Sequence, residues 1–524
     1  MTAIELLIEK KSLTAEQCSA AFHEMLNEPI QMGAFLALLR VKGETADEIL
    51  GLVMAMRGQM VRLNLDRPVL DIVGTGGDQA GTVNISTGSA LIAASCGVPV
   101  VKHGNRSVSS RSGSADVLEV MGYNIHQTSQ ELQESIQKTG FGFCFAPDYH
   151  PAMKQVRPVR NALKFPTVFN LIGPLLNPAG TEYLQIGVYK PELVQTIAEV
   201  LFKLGTKRSL VYCGHGIDEL SCIGPTEAIL VTERGLEPLM IDPEKLGLTK
   251  CTLEDLKGGD PKTNAQMLRN PPPGLRDTLI LNVAVALFLY GPARSIEEGV
   301  QIAKRRCRKS LKEAIRKQSG ALIAEIKRAS PSRGKIGDIP DVAKRARFFE
   351  LNGAAAISVL TSDRFEGSLS DLKAVTDAVS VPVLRKDFIT TPEQLAETDA
   401  DAVLLIVAYL GERTKEMLTL AHQLGLEAIV EVHNQSELQI AIEAGAEIIG
   451  VNQRNLKDFT MHPEVYELVN QIPKHIVKIA ESGVRNLADA ERLFKMGYDA
   501  ILVGEALTLN PQLCEELCSL KSVG

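Results

Sequence analysis

"DIVGTGGDQAGTVNIST" (residues 71–87) follows the short apolar run "PVLDIV" (68–73) and leads into "GSALIAASCGVPV" (88–100), which starts like a helix. A buried strand, a glycine-rich turn and a helix in that order predict an α/β unit. One glycine there would need only a turn at positive φ. Four of them, Gly74, Gly76, Gly77 and Gly81, followed by Asn84, Ser86 and Thr87, predict a cradle of backbone N–H groups under a phosphate. It is not a P-loop, because no Gly-Lys-Ser/Thr closes it.

Upstream, the first sixty residues are helical in pattern. "TAEQCSAAFHEML" opens on a Thr14–Gln17 capping box, and "TADEILGLVMAMRGQMVRL" has apolar residues at helical spacing. Downstream, the apolar runs "VPVVKHG", "YLQIGVY" and "RSLVYCG" alternate with helical patterns. A helical subdomain over 1–66 and an α/β domain over 67–294 follow from this. The segment "SIEEGVQIAKRRCRKSLKEAIRKQ" (295–318) carries Val300, Ala303, Cys307, Leu311 and Ile315 on one helical face. Its eight basic residues between Lys304 and Lys317 face a single acid, Glu313. It reads as one linker helix with a solvated basic face.

Eight apolar runs come next: "ALIAEIK" (321–327), "AAISVLT" (355–361), "PVLRKDF" (382–388), "AVLLIV" (402–407), "EAIVEVH" (427–433), "IIGVNQR" (448–454), "HIVKIAES" (475–482) and "AILVGEA" (500–506). Helical patterns separate them, so residues 319–524 predict a (βα)₈ barrel.

With 524 residues the chain exceeds one compact core, and a formal charge of −7 argues against a nucleic-acid partner. No basic-then-apolar leader opens the chain, and no apolar stretch in the sequence pattern approaches a membrane span. Nine cysteines without a C-x-x-C pair suit reduced thiols and a cytoplasmic setting.

Active sites of such barrels lie at the C-terminal ends of the strands. Polar residues gather there: Glu325 and Lys327, Lys386 and Asp387, Glu431 and His433, Asn452 and Arg454, Glu481 and Ser482. Acids and bases converging on one face predict acid–base catalysis. Ser482-Gly483 and Gly504-Glu505 follow the last two strands, where a phosphate is commonly held. "AEIKRASPSRG" (324–334), "VLRKDF" (383–388), "VEVH" (430–433), "NQRNL" (452–456) and "AESG" (480–483) resemble indole-3-glycerol-phosphate synthase over nearly all of 319–524. That resemblance implies closure of an indole ring from a carboxyphenylamino-deoxyribulose phosphate, with loss of carbon dioxide and water and no cofactor. It implies Lys386 as general acid, Glu431 as general base, and Lys327 as anchor and second acid. Glu325, Asn452 and Glu481 would complete the pocket, with Ser330, Arg454, Ser482, Gly483 and Gly504 near the phosphate. Two departures stand out. The lead-in that folds over the barrel mouth in that family is replaced by the basic segment, and "TSDRFEGSL" (361–369) is one residue short.

In the first half, "VKHGNRSVSSRSGSADVLE" (101–119) is rich in hydroxyls and cations, "HPAMKQVRPVRNAL" (150–163) puts Arg157 and Arg160 on one turn, and "GHGIDELSCIG" (214–224) pairs Asp218 with Glu219. Adjacent carboxylates beside a phosphate cradle suit Mg²⁺ shared with substrate phosphates. Together with "GTGGD", "NIST" and "FNLIGPLLNP" (169–178), these motifs resemble anthranilate phosphoribosyltransferase over roughly 1–315. The fold so implied is nucleoside-phosphorylase-like. Carried over, Gly74, Gly77, Asp78, Thr82, Asn84, Ser86, Thr87, Lys102 and Ser114 bind phosphoribosyl pyrophosphate (PRPP). Ser86, Asp218 and Glu219 hold magnesium, and Gly74, Asn105 and Arg160 meet anthranilate. The two resemblances imply a bifunctional enzyme of tryptophan biosynthesis whose activities are not consecutive, so a separate phosphoribosylanthranilate isomerase is expected between them. They also imply a homodimer through the helical subdomain. The alternative is an active transferase fused to a non-catalytic scaffold or regulatory barrel.

Overall fold

The computed structural model describes residues 1–107, 111–330, 333–456 and 459–520. The chain divides into two compact units, Met1–Cys307 and Arg308–Gly524.

The first unit opens with four helices, Ala3–Ile8, Ala15–Met25, Pro29–Lys42 and Ala46–Gln59. Thr2, Thr14 and Thr45 each close a capping box at a helix start, satisfying N–H groups that would otherwise be orphaned. Seven strands follow: β1 (Leu70–Gly74), β2 (Val100–Gly104), β3 (Phe141–Phe145), β4 (Tyr183–Gly187), β5 (Arg208–Tyr212), β6 (Thr226–Thr232) and β7 (Gly235–Ile241). They form one sheet in the order β3-β2-β1-β4-β5-β6-β7. The first five are parallel, and β6 and β7 add an antiparallel hairpin. The chain leaves β1 toward β2 and leaves β4 toward β5, in opposite directions. The crevice between the ends of β1 and β4 is therefore the topological switch point, where such sheets bind ligands.

One sequence expectation needs correcting here. The helix Pro273–Tyr290 is long and apolar enough to cross a membrane. It is apolar on all sides because it is the core helix of this unit, buried along most of its length. Its Asn282 accepts a hydrogen bond from Gln185 of β4 at 2.8 Å.

In the second unit, β8 (Ala321–Ile326) precedes a two-residue ribbon, β9 (Ala329–Ser330) with β10 (Gly334–Lys335). Then come β11 (Ala356–Leu360), β12 (Val383–Lys386), β13 (Ala402–Ile406), β14 (Glu427–Val432), β15 (Ile448–Asn452), β16 (Val477–Glu481) and β17 (Ala500–Val503). With β8 these seven close an eight-stranded parallel barrel. Its interior is packed with Ile323, Leu384, Leu404, Ile429, Ile479 and Leu502.

The segment 295–318 is not one helix. Ile296–Arg306 stops at Cys307, and a second helix, Leu311–Arg316, starts behind the N-cap Ser310. The apolar face splits accordingly: Val300 and Ala303 join the core of the first unit, Leu311 and Ile315 the barrel core. Nor is the basic face simply solvated. Arg308 donates to the carbonyls of Leu424 and Thr398, each at 3.1 Å. Lys309 donates to those of Val379 (2.9 Å) and Val381 (3.0 Å), and Arg316 to that of His475 (2.7 Å). Lys312 pairs with Glu447 at 2.7 Å. These acceptors precede barrel strands, so the basic run fastens a short helix across the N-terminal end of the barrel. Loop carbonyls that lack sheet partners attract such donors.

Candidate active sites

At the switch point, Gly74 ends β1 opposite Gly187 of β4. A Cβ on Gly74 would overlap the Asp218 carboxylate, and one on Gly187 would overlap the Asp218 carbonyl. Both glycines are thus required for the 213–219 loop to enter the crevice. Gly76, Gly77 and Gly81 all have positive φ, as the turn demands. The N–H of Gly76 donates to Asp218 Oδ2 at 2.5 Å, and the N–H of Ser86 to Glu219 Oε1 at 3.0 Å. The glycine loop and the carboxylate pair are one structure.

Both carboxylates are buried, and burial pushes their pKa values up, with Glu219 and Asp78 adding repulsion at Asp218. Lys102 works against that rise at Glu219; its own pKa is lowered by burial. The lysine is 2% exposed and donates to the carbonyl of Ile72 (2.6 Å) and to Ser86 Oγ (3.2 Å). Glu219 Oε2 and Asp78 Oδ2 are buried without a hydrogen-bond partner. Oxygen donors left in this state fit a hard cation such as Mg²⁺. Among the described residues no group of three His, Cys, Asp or Glu side chains is arranged to hold a metal. The pair fits a cation whose remaining ligands come from phosphates.

The other expected residues surround this cradle. Asn84 precedes the helix Ile85–Ser95; its side chain donates to Ser112 O (3.1 Å) and accepts from Asn264 (2.8 Å). Thr82 bridges to Lys257, and Thr87 is buried with its hydroxyl unpaired. Ser114 Oγ donates to Asn105 O at 3.3 Å. Arg160, on the helix Met153–Leu163, lies with its guanidinium 5.5 Å from the Phe169 ring centre. No ion pair to it is found among the described residues. A half-buried guanidinium can pair with a carboxylate in bidentate fashion.

In the barrel, a pocket opens at the C-terminal strand ends, lined by Glu325, Lys327, Ser330, Lys386, Glu431, Asn452, Arg454 and Ser482. Lys386 Nζ lies 2.8 Å from Glu481 Oε2 and 3.4 Å from Glu325 Oε2. Burial alone would lower the pKa of Lys386, but Glu481, Glu325 and Glu431 outweigh it and hold the lysine protonated. Lys327, 3.6 Å from Glu325 Oε1, goes the other way: burial lowers its pKa despite that partner. Glu325 is pulled down against burial by the two lysines. Asn452 Oδ1 accepts from Ser482 Oγ (2.9 Å) and from the N–H of Arg454 (3.0 Å), which ties β15 to the turn after β16. Ser482 and Gly483 both have positive φ, and a Cβ on Gly483 would overlap Gln453. Gly504 acts from behind the wall, since a Cβ there would collide with the Glu325 carboxylate. Asp387 also lines the pocket, and its carboxylate accepts from Thr361 (2.6 Å) and Arg385 (3.3 Å).

The comparisons with known proteins agree with this geometry. Residues 1–60 match the helical bundle domain, and residues 66–309 the a/b domain, of the glycosyl transferase family. Residues 292–520 match indole-3-glycerol phosphate synthase. The anthranilate phosphoribosyltransferase of Chlamydia caviae is 45% identical over 311 residues, covering 58% of this chain and 91% of the relative. That of Bacillus cereus is 44% identical over 306 residues, covering 57% and 90%.

The chain belongs to the anthranilate phosphoribosyltransferase family.

The crystal structure of the Thermus thermophilus anthranilate phosphoribosyltransferase is 40% identical, with a TM-score of 0.55 over 59% of this chain and 94% of that one. The Saccharomyces cerevisiae enzyme in complex with PRPP and Mg is 27% identical, with a TM-score of 0.54 over 58% and 92%. The second unit is an indole-3-glycerol phosphate synthase domain, so the chain combines both enzymes of a bifunctional tryptophan-biosynthesis protein.

Two features of these transferase and synthase sites are absent from the sequence reading. Gly187, on a strand remote in sequence from the glycine loop, is as necessary as Gly74 to the switch-point crevice. The barrel pocket also has an apolar wall of Phe365, Phe388, Leu456 and Phe459, in which Phe365 and Phe388 stack at 6.2 Å. Phe388 ends the motif "RKDF", but an aromatic beside a strand is indistinguishable from core without coordinates.

Proposed function

We propose that the first unit transfers the phosphoribosyl group of PRPP to anthranilate, and that the second closes the indole ring of 1-(2-carboxyphenylamino)-1-deoxyribulose 5-phosphate. In the first step the amine of anthranilate attacks the anomeric carbon of the ribose and pyrophosphate leaves. The loop from Gly74 to Thr87, with Lys102 and Ser114, seats the pyrophosphate. Arg160 and Asn105 orient the acceptor through its carboxylate. Asp218, Glu219 and Ser86 would hold Mg²⁺, which when bound offsets the charge developing on the departing group.

In the second step the carboxylate-bearing ring carbon attacks the ketone carbon, carbon dioxide leaves, and dehydration completes the indole. Lys386, kept charged by three carboxylates, polarises the ketone oxygen. Lys327, with its lowered pKa, is the proton more readily given up, and Glu431 accepts a proton. The phenyl ring lies against Phe365 and Phe388, and the phosphate against Ser330, Arg454 and Ser482, with Gly483 and Gly504 shaping the turn. This chemistry asks only for acids and bases. The observation that carries the reading is the partly buried Lys386 within 2.8 Å of Glu481 and 3.4 Å of Glu325, with Glu431 adding to the charge that holds it protonated.

The protein is read as cytosolic, in keeping with nine free thiols, and as a dimer through its helical subdomain, where Ile30 and Val41 stand 88% and 81% exposed. A separate isomerase links the steps. The purified chain given anthranilate and PRPP should accumulate phosphoribosylanthranilate, and adding the isomerase should carry it on to indole-glycerol phosphate. Transfer without any ring closure after that addition would make the barrel a non-catalytic scaffold.

A further inference from the structure

His433 follows β14 directly and has no part in the chemistry above. Its Nδ1 lies 2.9 Å from Glu437 Oε2, and its main-chain N–H donates to the same oxygen at 2.8 Å. Its Nε2 lies 3.2 Å from Glu431 Oε1. Glu437 is itself fixed. The Asn434 side chain donates to its Oε1 at 2.8 Å, and its own N–H donates to Asn434 Oδ1 at 3.0 Å, in the first turn of the helix Gln435–Ala444. The imidazole and Glu437 side chains are 12% and 15% exposed. A line of three groups therefore runs from a helix N-terminus to the pocket wall.

The line ends on one member of an ambiguous pair. Glu431 and Glu481 are 1% and 0% exposed, and both face Lys386. Two buried carboxylates sharing one cation do not both stay ionised, and their environments decide which gives way. Lys386 hydrogen-bonds to Glu481, so on that contact alone Glu481 would be the ionised partner. The pKa directions are the reverse: burial and the Glu431 charge raise that of Glu481, whereas Glu431, despite its burial, is held below its ordinary value by His433 first and Lys386 second. The imidazole is pushed up to about 10 by Glu431 and Glu437 against its own burial.

We propose that His433 is a positioning residue for ring closure: hydrogen-bonded to Glu437 and 3.2 Å from Glu431, it makes Glu431 rather than Glu481 the carboxylate that takes the proton. In the dehydration the carbon–oxygen bond breaks, water departs with a lysine proton, and the ring gives up a proton to Glu431. The charged groups facing this line are Lys386 from β12, Glu481 from β16 and Glu437 from the following helix, with Glu325 of β8 behind Lys386. The inference rests on reading the barrel as a working synthase.

The test is the pH dependence of kcat and KM for the carboxyphenylamino-deoxyribulose phosphate, in the full chain, for His433→Gln and Glu437→Gln. For His433→Gln, the acid limb of the kcat profile should move up by about one pH unit, so that kcat measured on that limb falls about tenfold, with KM unchanged. Above that limb the rate should recover. Glu437→Gln, at the outer end of the line, should move the limb in the same direction by less, and it serves as the variant if His433→Gln does not fold. A uniform loss of kcat at every pH, or a rise in KM with the limb unmoved, overturns the proposal. An unsubstituted chain that does not turn over overturns the synthase reading itself, which is a different outcome.

Discussion

Asp218 and Glu219 in the first unit are buried against backbone N–H groups. Glu325, Glu431 and Glu481 in the second are buried as deeply, yet Lys386 stands among all three. At the transferase pair Lys102 stands against Asp218, Glu219 and Asp71, which leaves a net negative cradle that a cation and a pyrophosphate complete. The synthase site carries its own counter-charges before substrate arrives. The difference follows the reactions: one expels a polyanion, which brings metal with it, and the other shuttles protons on a substrate with no such leaving group. It also predicts where removing a charge costs stability and where it relieves it, because breaking a buried pair leaves a charge uncompensated whereas removing an unpaired charge does not.

The most severe test of that contrast is Lys386→Ala. Ring closure should fall by about a thousandfold, the melting temperature should drop as Glu481 loses its cation while Glu325 keeps Lys327 and Glu431 keeps His433, and the transfer rate should be unchanged. Next, Asp218→Asn with Glu219→Gln should lower phosphoribosyl transfer by about a hundredfold while the first unit melts no lower than before. A clear destabilisation there would mean that the pair is already compensated, and the contrast would collapse. Arg160→Ala should raise KM for anthranilate by about tenfold and leave KM for PRPP as it was, which steady-state kinetics with each substrate varied would read.

A last test, on stability alone, concerns His103 and His150, buried with their Nε2 atoms 3.1 Å apart. Burial pushes His103 down to about 3 and His150 to about 4. An unfolded histidine titrates near pH 6.5, so below that value the unfolded chain binds protons that the folded unit refuses. Stability is then present above about pH 6.5 and lost as pH falls toward 4, by about 2 kcal/mol for each histidine at pH 5. Melting of the first unit at pH 7 and pH 5 measures it, and an unchanged melting temperature would show that the pair takes up a proton without cost.

Much of this was legible in the residue string. Strand-and-turn spacing yields the barrel because each strand buries both faces and each connecting helix is amphipathic, so period and punctuation alone declare the fold. The glycine loop is equally plain, since no other residue accepts the φ values of Gly76, Gly77 and Gly81 at so little cost. The segment 295–318 is the counterexample. Its apolar spacing is the same whether one helix or two form, and only the barrel loops that accept from Arg308, Lys309 and Arg316 decide that it breaks.

What the sequence determined by itself is therefore local: the elements, their order, and the chemical types gathered at the strand ends. What the tertiary structure alone decided is pairwise. Gly187 matters because Asp218 comes within reach of it, and Glu431 differs from Glu481 because His433 stands beside one and not the other. Backbone preference is a property of each residue and its neighbours in the chain, whereas charge and steric overlap depend on distances that only folding sets.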